Sequence, residues 1–155
     1  MEVFRLSSAK YANDLSGTGA KIHGGRWNRK GDAVLYTAGT RALALVEVLV
    51  HTTNAFLPLN YQLITIYIPD DSILTIPNKS LPEDWNNIEP SDSTAMVSSD
   101  WLNNAQYLTL RVPSVVVEGE YNYLINPAHA DFAKVKILKN EAFNFDSRLI
   151  NKNSD

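Results

Sequence analysis

Between residues 41 and 51 the chain reads RALALVEVLVH. Its apolar positions Ala42, Leu45, Val46, Leu49 and Val50 recur at the three- and four-residue spacing of a helix. Leu43 and Val48 widen the apolar stripe around much of the circumference. The pattern predicts a largely buried helix with Thr40 as its N-cap and Glu47 in its middle. Strand signals surround it. VFRLSS opens the chain and DAVLYTA precedes the helix. YQLITIYIP puts Ile64, Ile66 and Ile68 on one face at period two, until Pro69 and the DDS turn stop it. SILTI reads as a further short strand. YLTLRVPSVVVEGEYNYLINP divides into two or three strand pieces at VPS and EGE, and VKILKNEAFNF reads as closing strand. Between them, LSGTGAKIHGGRWNRKG is glycine-rich, polar and basic, which predicts a long ordered loop or a set of turns. The chain from Pro77 to Asp92 reads as a surface excursion, TAMVSSDWLNN as a short helix carrying Trp101, and PAHADFAKV as a helical turn. Strands dominate and no repeat interrupts them. The expectation is one compact α+β domain over residues 1–150, with residues 151–155 (NKNSD) as a frayed tail.

Composition and charge narrow this picture. A chain of 155 residues can bury a core of its own. The absence of cysteine excludes disulfides, thiolate metal sites and cysteine nucleophiles. No stretch approaches the roughly 18 apolar residues of a membrane span, and MEVFRLSSAK lacks the basic and apolar regions of a signal peptide. A cytoplasmic protein without membrane contact is expected. The net charge of −3 argues against direct nucleic-acid binding. The charge is uneven, however: residues 1–41 hold seven Lys/Arg against three acids, which leaves the remainder strongly acidic. A basic lobe suits a local anionic ligand, and a solvated surface reads equally well from charge alone.

Several residues stand out chemically. Glu47 is a carboxylate in an apolar helix. It is either a partly exposed residue paired with His51 one turn on, or a buried group aimed into a cleft. Arg26 follows Gly24 and Gly25 in GGRWN. It either covers a turn or offers its donor fork to phosphate or carboxylate. Tyr36 reads as a core aromatic or a ligand contact, and Trp27 as packing. His23, His51 and His129 are scattered without an HxH or HxxxH spacing, so no metal site is expected. Ser114 lies in VPS, which is no GxSxG elbow. Asn126, before Pro127, is a turn residue or a hydrogen-bonder in a pocket. The glycines match neither the Rossmann nor the P-loop pattern.

Taken in order, FRLSS, LSGTGAKIHGGRWNRKGDAVLYTA, ALALVEVLVH, LRVPSVVV, NYLINPAHADF and FDSRL resemble the RES domain family over nearly the whole chain. Its members are toxins of bacterial RES–Xre toxin–antitoxin modules. The arginine, glutamate and serine that name the family fall on Arg26, Glu47 and Ser114. The resemblance implies an ADP-ribosyltransferase-like fold, with split β-sheets and a few helices around an NAD cleft. It implies a toxin that cleaves NAD+ at the nicotinamide–ribose bond by hydrolysis or phosphorolysis, depletes NAD and arrests growth. Its alternatives are a protein ADP-ribosyltransferase with NAD+ as donor, or a catalytically silent antitoxin-binding protein. NAD+ is then a substrate, and no metal is needed. On this reading Glu47 stabilises an oxocarbenium-like ribose, and Arg26 binds phosphate, bidentately where geometry permits. Gly24 and Gly25 let the backbone approach the dinucleotide, Tyr36 stacks on the nicotinamide, and Arg5 is a second phosphate contact. Ser114 and Asn126 orient Glu47 or the ribose. Leu45 stands where transferases of the wider fold often carry a second acid, which favours a small acceptor over a protein. The implied partner is a cognate Xre-type helix-turn-helix antitoxin, joined in a hetero-oligomer that covers the cleft. Any DNA contact would go through that partner.

Overall fold

The computed structural model describes residues 1–52 and 60–150. In chain order its elements are β1 (Glu2–Ser8), α1 (Thr18–His23), β2 (Leu35–Ala38), α2 (Arg41–His51), β3 (Tyr61–Tyr67), β4 (Ile73–Thr75), α3 (Asp92–Asn104), β5 (Thr109–Pro113), β6 (Tyr121–Ile125), β7 (Lys136–Phe143) and α4 (Ser147–Ile150). Every strand expected from the pattern is present, and PAHADFAKV contains a 3-10 turn at Ala130–Lys134. The glycine-rich segment expected as loop contains α1, which ends where Gly24 takes a φ of +72°. The frayed tail expected at 151–155 lies outside the described residues.

Seven strands form one mixed sheet in the order β4-β5-β6-β2-β1-β3-β7, with only β4 and β5 parallel. Its halves are unequally joined. β1 and β3 pair along their whole length, from Glu2↔Tyr67 to Ser8↔Tyr61, and β2 pairs with β6 from Leu35↔Ile125 to Ala38↔Asn122. Between β1 and β2 the ladder holds a single pair, Phe4↔Ala38. The split expected of the sheet is therefore a near-break inside one sheet, and the two strands part on either side of that pair.

Alternation along the strands builds two apolar faces. Val3, Leu35, Ile64, Ile66, Ile68 and Ile125 bury one face. The other is divided between a cluster around Trp27, Trp101, Leu110 and Leu124 and a cluster of Leu6, Ala38, Leu43, Ala44 and Leu63 under α2. Thr40 caps α2 as expected, its Oγ1 accepting from the Leu43 N–H at 3.1 Å. The helix is less buried than its stripe predicts. Only Leu43 and Ala44 are fully covered, residues 45–49 are half-buried, and Val50 is exposed. One side of α2 packs on β1 and β2, and the next borders open space.

Candidate active site

That open space is a cavity of about 1080 Å³ at the parting of β1 and β2. Arg5 and Leu6 from β1, Tyr36 and Thr37 from β2, and Glu47 and His51 from α2 all line it. A smaller cavity of about 140 Å³ adjoins it and shares Arg5, Gly19, Ala20 and Tyr36 as walls.

The GGRWN turn forms one rim. The Gly24 N–H donates to the Ala20 carbonyl at 2.8 Å, closing α1. Gly25 and Asn28 exchange backbone hydrogen bonds of 3.0 and 3.4 Å, which puts Arg26 and Trp27 at the tip of a tight turn. Trp27 is buried, as its packing role required. The turn sits on Tyr36: the hydroxyl donates to Asn28 Oδ1 at 2.8 Å and accepts from the Trp27 N–H at 3.1 Å. Asn28 Nδ2 in turn donates to the carbonyls of Ala20, Arg29 and Asp32. A methyl at Gly25 would stand 2.8 Å from the Tyr36 oxygen and 2.9 Å from Asn28 Oδ1, so close approach fixes this glycine. Burial, and secondarily nearby Glu47, push the Tyr36 hydroxyl well above the usual tyrosine range, against the Trp27 N–H and Arg26. Its polar end belongs to the turn, and its ring is left to border the cavity.

The two arginines differ. Arg26 Nη1 donates to the Trp85 carbonyl at 2.9 Å, and Nη2 to those of Asn87 and Ile88 at 2.7 and 3.2 Å. Three of its roughly five donors are thus engaged by backbone. Burial lowers its pKa, with Glu47 and Tyr36 opposing. Arg5 uses only Nη1, toward the carbonyls of Asp14 at 2.6 Å and Tyr11 at 3.5 Å. Among the described residues nothing accepts from its Nε or Nη2. Two donors side by side on one edge of a guanidinium can meet a phosphate or carboxylate bidentately.

Glu47 faces the cavity with its two oxygens unequally held. Oε1 accepts from Asn122 Nδ2 at 2.6 Å and from Ser114 Oγ at 3.3 Å. The Ser114 oxygen itself accepts from the N–H groups of Val116 and Val117, each at 3.1 Å, so its single hydrogen is left for Glu47. Among the described residues, Oε2 has only His51 Nε2 nearby, at 3.9 Å. Glu47 is thus partly exposed rather than buried: it lies beside His51 along the helix and borders the cavity.

Asn126 stands apart. It is buried, its Oδ1 accepts from the Ala128 N–H at 2.9 Å, and it does not border the cavity. Asn126, expected to orient Glu47 or the ribose, does neither from this position: β6 ends before it, it shapes the turn into Pro127, and Glu47 is held by Asn122 instead. Asn122 and Asn28 were the residues missed. Asn122 had a signal, a polar residue between two tyrosines on a strand, on the face shared with Leu124. Asn28 had none beyond its place in the turn. His23 is exposed and His129 accepts from the Asp131 N–H. Among the described residues no group of three His, Asp or Glu is placed to hold a metal.

Residues 2–146 match the family described as RES domain. A protein named Toxin Res from Photorhabdus laumondii subsp. laumondii is 39% identical over 152 residues, covering 97% of each chain. A protein named Prs ADP-ribosylating toxin from a Sphingobium species is 42% identical over 145 residues, covering 91% of this chain and 89% of its own. The fold is similar to a chain of the M. tuberculosis MbcT–MbcA toxin–antitoxin complex, with a TM-score of 0.76 and 19% identity over 92% of this chain and 84% of that one.

Proposed function

The chain belongs to the RES domain family, and we propose from that premise that it is the toxin of a toxin–antitoxin module, acting by cleavage of NAD+ at the nicotinamide–ribose bond. One observation carries the chemistry. A single carboxylate, Glu47, is fixed at Oε1 by Ser114 and Asn122 and opens at Oε2 onto a cavity of about 1080 Å³. Loss of nicotinamide leaves positive charge on the ribose. A carboxylate held in place before the reaction stabilises that charge without reorganising. The Tyr36 ring supports the nicotinamide. The Nε and Nη2 edge of Arg5 takes the diphosphate, and Gly24 and Gly25 keep the backbone low beside it.

Among the described residues lining the cavity, Glu47 is the only carboxylate. Leu45, two positions earlier, packs into the cluster under α2. A small acceptor, water or phosphate, fits this arrangement. Transfer of ADP-ribose to a protein is the second reading, favoured by the similarity to a protein named Prs ADP-ribosylating toxin. The proposed partner is an Xre-type helix-turn-helix antitoxin that covers the cleft in a hetero-oligomer, in the cytoplasm. Among the described helices none is long and apolar enough to cross a membrane.

The test is nicotinamide release from NAD+ by antitoxin-free protein, with and without phosphate, beside Glu47→Gln. Release is expected in the wild type and absent in the variant, and phosphate dependence identifies the acceptor. If folded wild type releases nicotinamide only when a protein target is added, the transferase reading takes its place. No release under any condition leaves an antitoxin-binding protein without this activity.

A further inference from the structure

The residues from Asn86 to Pro90 have little to hold them. Ile88 is 95% exposed, and the neighbouring side chains are exposed as well. The chain enters this stretch at Trp85, which packs beside Trp101 and Leu110. It leaves at Ser91 and Ser93, whose hydroxyls are linked to each other and to Asp84. Between these anchors, among the described residues, the stretch makes one backbone turn bond, from the Asn87 N–H to the Asp84 carbonyl. The remaining restraint is Arg26, which gathers the carbonyls of Trp85, Asn87 and Ile88 onto Nη1 and Nη2. The base of this clamp is fixed, because the Arg26 carbonyl accepts from Oγ1 of the fully buried Thr94 at 2.7 Å. What the clamp positions borders the cleft: Ile88 and Pro90 line the large cavity, as do Val50 on α2 and Val116.

We propose that Arg26 is a positioning residue, which holds Trp85–Ile88 as an apolar lip at the mouth of the cleft and acts on substrate binding through Ile88. This rests on the cavity being the NAD+ cleft. The aromatic rings of the dinucleotide meet the lip, while the phosphate-binding role falls to Arg5. Lysine cannot replace Arg26 here. The three carbonyls are reached from two nitrogens of a planar fork, whereas an ammonium is a single point.

Hydrogen exchange at the Trp85 and Asn87 amides tests the clamp in wild type, Arg26→Gln and Arg26→Lys, with the β5 amides as a control for folding. KM and kcat for NAD+ are measured in parallel, and Ile88→Ala, an exposed position that leaves folding intact, is added. In both Arg26 variants, exchange at Trp85 and Asn87 is expected to rise by about tenfold or more while β5 is unchanged. KM is expected to rise about tenfold with kcat within about threefold, and Ile88→Ala to raise KM in the same direction without altering exchange. Unchanged exchange at Trp85 and Asn87 in Arg26→Gln overturns the clamp. An Ile88→Ala variant with wild-type KM overturns the role of the lip. Wild type that cleaves no NAD+ defeats the functional reading instead, and the exchange data still decide whether Arg26 holds the segment.

Discussion

The two walls of the cleft use their polar side chains in opposite ways. On the α2 wall, Glu47 is held at one oxygen by side chains from β6 and from the turn after β5, and among the described residues its other oxygen accepts no hydrogen bond. On the GGRWN wall, Tyr36 and Arg26 have their polar atoms bound to the protein itself, to Asn28, to the Trp27 N–H and to the carbonyls of residues 85–88. One wall is poised for a ligand and the other is satisfied in advance. Hydrogen-bonding capacity left open, rather than the mere presence of a charged residue beside a cavity, separates chemistry from scaffolding here. By that measure Arg5, with Nε and Nη2 free of acceptors among the described residues, resembles Glu47 more than it resembles Arg26.

Substitutions can break this contrast. The largest effect belongs to Glu47→Gln, which should lower NAD+ turnover by about 10³-fold. Its thermal stability should barely move, since the side chain is 26% exposed. Next is Asn122→Ala, expected to lower kcat by about 10²-fold by freeing Oε1. Asn126→Ala should leave kcat near wild type and instead cost about 0.5–1.5 kcal/mol of stability, from the lost hydrogen bond to the Ala128 N–H. If the two asparagines exchange these outcomes, the assignment of the α2 wall is wrong. On the opposite wall Gly25→Ala should destabilise by about 1–3 kcal/mol through the clash with Tyr36 and Asn28, measured by denaturant unfolding.

The smallest effect is that of Tyr36→Phe. It keeps the ring, should hold turnover within about tenfold, and should cost about 1 kcal/mol. It also carries a pH signature. The folded pKa is raised above the unfolded value of about 10. The contribution is therefore complete below pH 10 and is lost as pH rises from there toward the folded value. Melting temperatures between about pH 8 and 11 should fall less steeply in Tyr36→Phe than in wild type.

Period and punctuation made most of the fold legible. The alternation of Ile64, Ile66 and Ile68 and the cap at Thr40 are local signals with local causes. The misses share a different cause. Helix α1 hid behind Gly17, Gly19 and Gly24, whose composition reads as loop although the backbone between them closes a turn and a half. The burial of α2 was overestimated because an apolar stripe records what is water-averse, not whether a cleft stands beside it. In the site, Glu47 stood out as a charge in an apolar helix, and Gly25–Arg26 as a cation on permissive backbone. The partner of Glu47 was not singled out by the sequence, since Asn122 within β6 and Asn126 just past its end are both asparagines of the same parity. Only the register Ala38↔Asn122 decides which one comes beneath α2. What Arg26 binds is set by a segment 59 to 62 residues away, which no local pattern encodes.

The wiring of the sheet has a consequence for how this protein is made. β1 waits for a strand that ends at Tyr67, and β2 has its main partner in a strand that begins at Tyr121. Such long-range pairing makes folding slow. It also means that a ribosome which has delivered GGRWN and Glu47 has delivered no site. Until Ser114 and Asn122 emerge, the carboxylate has nothing to hold it, and the cleft lacks one of the two half-sheets between which it opens. Until residue 122 has been made, the Glu47 carboxylate lacks the Asn122 donor that holds it in the folded protein.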